Sequence, residues 1–250
     1  MIKNKEEIEK IRKSGKILAE VLKILKKEAK VGVSLLQLDV LAKKSIESLG
    51  GIPAFLNYFP YGAKKPYPNT LCASLNEVIV HGVPTDRKLK NGDVLKLDLG
   101  VIFEKFYSDS AITVVIGESS KEVLNLIKAT ELALVGGIKQ AKSGNTLGDI
   151  SFAIQSVANK YGVSVVRGLG GHGIGLDLHE EPFIDNMGTS GKGLKLKDGM
   201  VFALEPMFAL GKGEIKILED DSYSTIDGSV SAQFEHTVLV TRNGGEILTK

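Results

Sequence analysis

The feature that most constrains this chain is an internal repeat that spans both of its halves. In each half, segments with helical spacing come first and strand-like runs follow. Several residues recur at a constant offset of 112 positions, with Gly32, Ser34, Leu35 and Gly50 matching Gly144, Thr146, Leu147 and Gly162. Such a repeat is too long for a solenoid unit. The sequence therefore predicts an α+β fold of two pseudo-symmetric halves, about residues 1–117 and 118–250, each with two helices and an antiparallel sheet around a shared cleft.

Helix and strand signals place the elements within each half. Apolar residues from Ile8 to Leu25, at three- and four-residue spacing, predict a first amphipathic helix. Capping boxes are predicted to open the other three helices, formed by Ser34 with Gln37, Ser119 with Glu122, and Thr146 with Asp149. We expect strands between residues 76 and 117, and again from residue 163 onward.

Composition excludes several classes of protein. The 32 Lys and Arg residues nearly balance the 30 Asp and Glu, so no global field draws the chain to nucleic acid or an anionic membrane. The single cysteine, Cys72, excludes an internal disulfide and a cysteine metal cluster. No secretory signal is apparent, and no apolar stretch approaches the roughly 18 residues that span a bilayer. We therefore expect a cytoplasmic protein that does not enter a membrane.

Two carboxylates interrupt the most apolar strands. Asp98 lies in KLDLGVIF and Glu205 in MVFALEPMF, each six residues after a glycine that opens its strand. Burying an unpaired carboxylate costs several kcal/mol, so each must meet a cation, a hydrogen-bond donor or a proton. Asp98 and Asp109 flank a predicted hairpin with its midpoint at 103.5, which would set them directly opposite each other. The alternative is that one aspartate of this pair is a solvated turn residue.

Of the four histidines, His172 stands out because it lies among five glycines that would let its side chain be aimed into a cleft. His236 is expected to be an ordinary histidine, since its strand points it away from the face of Glu235. Four carboxylates and one imidazole form an oxygen-rich candidate set: Asp98, Asp109, Glu205, Glu235 and His172. Such a set favours hard or borderline divalent ions, commonly two with bridging carboxylates.

The chain resembles the methionine aminopeptidase family, in its short type I form, through five long motifs in the family's order. They are NEVIVHGVP, KLDLGVIFEKFYSDSAITV, GGHGIGLDLHEEP, GMVFALEPM and SAQFEHTVLVT. The resemblance covers nearly the whole chain and implies a single catalytic domain over residues 1–250 with the pita-bread fold. This architecture is a pseudo-symmetric duplication, in agreement with the repeat.

The resemblance also implies a metal centre of two divalent ions, Co(II), Mn(II), Fe(II) or Zn(II). Asp98 would chelate one ion, His172 and Glu205 would complete the shell of the other, and Asp109 and Glu235 would bridge both. A water activated by the metals would attack the carbonyl of the first residue.

Three side chains are implied to act on the substrate. Glu205 would carry a proton to the leaving amine, His179 would hydrogen-bond the scissile amide, and His81 would face the leaving residue. His81 and His179 would also bind substrate and hem in the second residue, which implies a preference for a small side chain there.

The implied methionine pocket departs from the family pattern. Tyr67 and Cys72 match pocket-lining positions, Tyr58 aligns with a pocket tyrosine, and Leu178 stands where the family often has an aromatic residue. The segment FLNYFPYGAKKPYPNT, around Pro60, is longer than usual, and EDDSYST replaces a segment that carries a pocket tryptophan.

A monovalent-cation site is also implied by the resemblance, at Asn76, Val78 and Ser231. A hydrogen-bonded turn is the alternative interpretation of these residues.

The implied function is removal of the initiator methionine from nascent proteins and peptides. The lysines at positions 3, 5, 10 and 13 could meet RNA in a transient ribosome contact, or form a solvated helix face. We expect a monomer, because the repeat supplies both walls of the cleft. Two alternatives are an Xaa-Pro aminopeptidase or prolidase, which shares the fold and ligands, and a non-catalytic pita-bread binding module.

Overall fold

The computed structural model of the chain describes residues 2–59 and 65–250. Pro60 and the four residues after it, in the long segment noted above, lie outside the described residues. The helices are α1 (Lys5–Glu28), α2 (Leu35–Ser48), α3 (Lys121–Gln140) and α4 (Leu147–Tyr161). None of the described helices is both long and apolar enough to cross a membrane.

The strands of the first half are β1 (Ile52–Pro53), β2 (Leu71–Leu75), β3 (Val78–Val80), β4 (Val94–Phe103) and β5 (Phe106–Val115). Those of the second half are β6 (Ser164–Val165), β7 (Gly170–Gly173), β8 (Glu180–Asp185), β9 (Val201–Leu204), β10 (Met207–Ala209), β11 (Ile215–Ile217), β12 (Tyr223–Thr225), β13 (Ser231–Gln233), β14 (His236–Thr241) and β15 (Gly244–Ile247).

Each half follows the predicted order of two helices and then an antiparallel sheet. In the first half, β4 is the central strand, with β5 along one edge and β1 and β2 along the other. The second half has a five-stranded sheet in the order β15-β14-β9-β7-β8 and a smaller sheet in the order β13-β10-β6. A further small sheet pairs β3 of the first half with β12 of the second, so the two halves share a sheet.

Each half has its own apolar core. In the first half, α1 and α2 bury residues such as Leu18 and Leu38 against the central sheet, and in the second α3 and α4 cover Phe202 and Val238. A third cluster, which includes Ile11 of α1, packs residues of both halves together. The halves are therefore fixed to each other by a common apolar layer.

Two of the predicted helix starts are confirmed and one is displaced by a residue. Ser34 and Gln37 form the expected capping box of α2, and the Asp149 carboxylate accepts from the Thr146 amide at the start of α4. Helix α3 is capped by Ser120, whose hydroxyl accepts from the Val123 amide, and the prediction of Ser119 was wrong. The helix itself begins at Lys121, and Val123 in its first turn is buried.

The predicted opposition of Asp98 and Asp109 is also wrong. The hairpin turns at Glu104 and Lys105, both with positive φ, so its centre lies one residue later than expected. Asp98 therefore pairs with Ala111, and Asp109 pairs with Gly100. The two aspartates are diagonal neighbours on the same face of the sheet, because side chains two residues apart share a face.

The residues before α1 form a short arm that reaches the second half. Ile2 bridges to Met200, and the Lys3 amide donates to the Gly199 carbonyl at 2.8 Å. The Lys3 ammonium is buried and lies 2.8 Å from both carboxylate oxygens of Glu180. Lys3 is therefore not available to RNA phosphates, which corrects one of the four lysines named for that role.

Candidate active site

One cavity between the two halves collects the predicted metal, catalytic and pocket residues. It is lined by Phe55, Tyr58, Tyr67, Cys72, His81, Asp98, Asp109, His172, Leu178, His179, Glu205 and Glu235. Sequence reasoning missed Phe55, which is the first residue of the long segment FLNYFPYGAKKPYPNT and carries no motif of its own. Three predicted residues, Asn76, Val78 and Ser231, lie outside this cavity.

The candidate ligands come from both halves. Asp98 and Asp109 project from β4 and β5, while His172 lies in β7, Glu205 directly follows β9, and Glu235 lies between β13 and β14. One ligand atom each from Asp109, His172 and Glu235 lies within 4.8 Å of the other two. This group is compact enough to surround a single ion.

Three carboxylate oxygens in the cluster have no hydrogen-bond partner among the described residues, although they are buried: Asp98 Oδ1, Asp109 Oδ1 and Glu235 Oε1. Burial raises the pKa of Asp98 to about 7. Burial also raises the pKa values of Asp109, Glu205 and Glu235, and the neighbouring carboxylates add to these shifts. Buried oxygens that repel one another and lack donors fit a divalent cation, which would satisfy them together.

His172 is prepared as a neutral ligand. Its Nδ1 lies 2.9 Å from the Gly173 carbonyl, and because a carbonyl can only accept, Nδ1 carries the proton. The other nitrogen, Nε2, is left with its lone pair and lies 3.7 Å from Glu205 Oε1. Burial lowers the pKa of His172 to about 4, so the imidazole is neutral at pH 7. A fixed tautomer of this kind is typical of metal-binding histidines.

The glycines around His172 allow a close approach of neighbouring strands. A Cβ on Gly171 would lie 2.2 Å from the Ala203 carbonyl oxygen, and one on Gly173 would lie 2.3 Å from that of Glu181. Both glycines are in β7, which pairs with β8 and β9. The sequence suggested that these glycines provide backbone flexibility around His172. In the structure they are required because a side chain at either position would collide with a neighbouring strand.

Glu205 is held by two amides that sequence reasoning missed. Gln233 Nε2 donates to Glu205 Oε2 at 3.3 Å, and Asn186 Nδ2 donates to its backbone carbonyl at 3.0 Å. Gln233 lies two residues before the candidate ligand Glu235 in the motif SAQFEHT. This closeness in sequence was the one signal that could have indicated a place for Gln233 near the site. Glu205 thus keeps one carboxylate oxygen toward His172 and the other toward Gln233.

The two histidines predicted to act on the substrate lie on different walls of the cavity. The His179 ring lies against His172, with centroids 4.4 Å apart, and its Nδ1 is 2.7 Å from the Tyr58 hydroxyl. His81 adopts a positive φ of 60°, uncommon outside glycine, and its ring meets Tyr223 edge-on at 5.5 Å. Tyr223 belongs to the segment EDDSYST, so this segment does supply an aromatic ring beside the site. Strained backbone of this kind clusters at functional sites.

An apolar wall adjoins the carboxylate cluster. Cys72 and Leu178 are buried there, and Phe55 meets Tyr67 edge-on with centroids 6.5 Å apart. The Tyr67 hydroxyl shares its proton between the carbonyls of Leu71 and Gly82, both at 3.0 Å, so that proton is engaged by the backbone. The wall thus presents mainly aromatic, aliphatic and sulfur surface.

The residues predicted for a monovalent cation lie together, around a lysine. Lys96 Nζ donates to the Asn76 carbonyl at 2.8 Å and to the Ser231 carbonyl at 3.3 Å. The Ser231 hydroxyl lies 3.4 Å from the Val78 carbonyl.

Comparisons with known proteins agree over the length of the chain. The model of metallopeptidase family M24 matches residues 9–242. A curated methionine aminopeptidase of Aquifex aeolicus is 43% identical over 99% of this chain and 97% of that protein. The crystal structure of methionine aminopeptidase from Rickettsia prowazekii has a TM-score of 0.95 at 40% identity and covers 100% of this chain and 99% of that one. The prolidase from Pyrococcus furiosus has a TM-score of 0.77 at 25% identity, with 65% of that chain covered.

Proposed function

Since the chain belongs to metallopeptidase family M24, we propose that it removes the N-terminal methionine from peptides and nascent proteins. The predicted pita-bread fold is confirmed by the likeness to solved members of the family. The observation that carries the proposal is a buried cluster of four carboxylates and one neutral histidine directly beside an apolar pocket. That arrangement suits hydrolysis next to a thioether side chain.

Divalent metal is the cofactor that the family and the buried Asp109, His172 and Glu235 group support. The finer assignment is two ions of Mn(II), Co(II), Fe(II) or Zn(II), with Asp98 on one ion and His172 on the other. Asp109 and Glu235 would bridge them, and Glu205 would be a further ligand of the ion that His172 binds. Such ions lower the pKa of a bound water toward neutrality and so supply a nucleophile at pH 7.

The chain's own residues orient the substrate and move protons. Glu205, held by Gln233, is positioned to accept a proton and pass it to the leaving amine. His179 would donate to the scissile amide, where negative charge develops. His81 would face the residue after the methionine, and with His179 it would restrict that residue to a small side chain.

The apolar wall would receive the methionine side chain. Tyr67, Cys72, Leu178 and Phe55 would supply the contacts, with Tyr58 at the edge through its contact to His179. The free α-amine of the substrate would lie near Asp98. This would restrict cleavage to the N-terminal residue, since an internal peptide bond has no free amine to place there. We treat residues 1–250 as one catalytic domain with halves of about 1–117 and 118–250, because each half supplies ligands.

We place the enzyme in the cytoplasm, acting as a monomer on new chains. The balanced charge and single buried cysteine support this location. A transient ribosome contact would use exposed lysines of α1 such as Lys5 and Lys13.

The alternative of an Xaa-Pro peptidase is not favoured, because the prolidase likeness is weaker and covers only part of that longer chain. A non-catalytic module is disfavoured because the complete ligand set is present.

The test is release of methionine from Met-Ala-Ser by metal-stripped protein, before and after Mn(II), Co(II) or Fe(II) is restored, with an Ala-Pro peptide alongside. We expect metal-dependent cleavage of Met-Ala-Ser alone. Asp98→Asn should abolish it, whereas Asp86→Asn, an exposed aspartate outside the cavity, should not. Cleavage only before proline would make the chain an Xaa-Pro peptidase, and metal binding without cleavage of either peptide would make it a binding module.

A further inference from the structure

Lys96 is among the largest of the fully buried side chains, with no exposed surface, and the reaction proposed above does not use it. It projects from β4 two residues before Asp98 and therefore on the same face of the strand. Its Nζ donates to the Asn76 carbonyl, in the turn between β2 and β3, and to the Ser231 carbonyl, in β13 of the other half. The side chain thus joins three segments of backbone from both halves.

The partners of this amino group are backbone carbonyl oxygens. Asn76 has a positive φ of 50°, and its carbonyl also accepts from the Ser231 amide at 3.0 Å and from the Ser231 hydroxyl at 3.1 Å. Burial lowers the pKa of Lys96 to about 7, and Glu77 opposes that shift. The two contacts need only N–H donors, which the side chain keeps in either protonation state.

Clustered carbonyl oxygens of this kind are also the ligands by which proteins replace the hydration shell of K⁺. We propose that Lys96 fills, with its own amino group, a position where a free monovalent cation would otherwise join the turn between β2 and β3 to β13. The link that Lys96 makes to the Asn76 and Ser231 carbonyls therefore does not depend on Na⁺ or K⁺. A shorter side chain at position 96 would leave a site that K⁺ or NH₄⁺ can occupy. A tethered group has this advantage because its binding costs no translational freedom.

The join bears on the active site through β13. This strand carries Gln233, which holds Glu205, and it leads directly to Glu235. Lys96 is therefore a positioning residue, which acts through the backbone of β13 and touches no substrate atom.

The experiment measures the melting temperature of the whole metal-loaded chain in KCl, NH₄Cl and choline chloride at equal ionic strength. Wild type should melt at the same temperature in all three salts. In choline chloride, the melting temperature of Lys96→Ser should be at least about 5 °C below that of wild type. Added K⁺ or NH₄⁺ should raise the melting temperature of this variant until the new site is saturated. Lys96→Met, which fills the volume with an apolar chain, should be destabilised without recovery in any salt.

Three results would overturn the proposal. They are a wild-type melting temperature that rises specifically with K⁺, a Lys96→Ser variant that responds equally to choline, and recovery of Lys96→Met by K⁺. The response of the wild-type melting temperature to K⁺ can be measured even if neither variant folds. Because the readout is thermal stability, the result is independent of which peptide the enzyme cleaves.

Discussion

The Tyr58 hydroxyl lies 2.7 Å from Nδ1 of His179, across a sequence separation of 121 residues. With Tyr58 as donor, His179 keeps its own proton on Nε2, so it can donate that proton to the substrate. The contact joins the loop after β1 to the loop before β8, and it brings first-half and second-half residues together at the cavity. Tyr58 therefore sets both the tautomer and the orientation of His179 in the proposed reaction.

Tyr58→Phe should lower kcat by about 10-fold to 100-fold, because second-layer hydrogen bonds of this kind typically contribute that much. The apolar ring remains, so KM for a methionyl peptide should change little. Steady-state kinetics on Met-Ala-Ser measures both quantities. Tyr161→Phe, in α4 and away from the cavity, is the matched control. An unchanged kcat in Tyr58→Phe would show that His179 needs no such partner.

Metal binding should release protons at pH 7. Burial raises the pKa of Asp98 to about 7, so this carboxyl is partly protonated at pH 7 without metal, whereas the ion needs it ionised. Burial and neighbouring carboxylates shift the pKa values of Asp109, Glu205 and Glu235 in the same direction. His172 is already neutral above about pH 5, since its pKa is lowered to about 4, so the protons come from carboxyls. Apparent metal affinity should therefore rise from pH 6 to pH 8.

Titration calorimetry in two buffers with different ionisation enthalpies counts these protons. Asp98→Asn should release fewer of them, and Asp86→Asn should match wild type. Binding that releases no protons at pH 7 would contradict the assignment.

Gly173→Ala should destabilise the chain by about 2 kcal/mol or more, because the new methyl group would meet the Glu181 carbonyl in the next strand. Gly136→Ala is the contrasting change, since a Cβ there lies 3.8 Å from its nearest neighbour in a helix. It should stabilise by up to about 1 kcal/mol. Urea denaturation midpoints of the two variants should shift in opposite directions, and a similar loss in both would refute the steric argument.

Cys72 should resist alkylation in the folded chain despite lining the cavity. The residue is 4% exposed, and burial raises the pKa of the thiol, so little thiolate forms at pH 8. Iodoacetamide labelling should be at least about 100-fold slower than in urea, as measured by mass spectrometry. Comparable rates in the two conditions would mean that the pocket admits the reagent and ionises the thiol.

Much of the site could be predicted because charged residues occupy positions of apolar strands where an apolar side chain is expected. Asp98 and Glu205 stand where an apolar strand calls for an apolar side chain, and this pattern can be seen without a structure. The start of α2 was equally readable, since a capping box is a local signal within four residues.

The register of strand pairing and the partners of side chains that are distant in sequence were harder to predict from the sequence. One residue of error in the hairpin centre changed the partner of Asp98 from Asp109 to Ala111, although the turn itself lies at Glu104 and Lys105. Strand β2 was missed because LCASL is short, fully buried and without alternation. The contact of Lys96 with Ser231 depends on how the two halves meet, which the sequence of either half does not encode by itself. The contact of Gln233 with Glu205 depends on how β13 packs beside the end of β9, which no local pattern shows.

The arm before α1 gives the chain a particular order of assembly. Ile2 and Lys3 pair with Glu180, Gly199 and Met200, which are synthesised at least 177 residues later in the chain. The arm must therefore wait through most of translation before it can dock, and contacts of such wide sequence separation form slowly. Because Lys3 binds Glu180, which is adjacent to His179, this late docking step also fixes the end of the loop that carries His179.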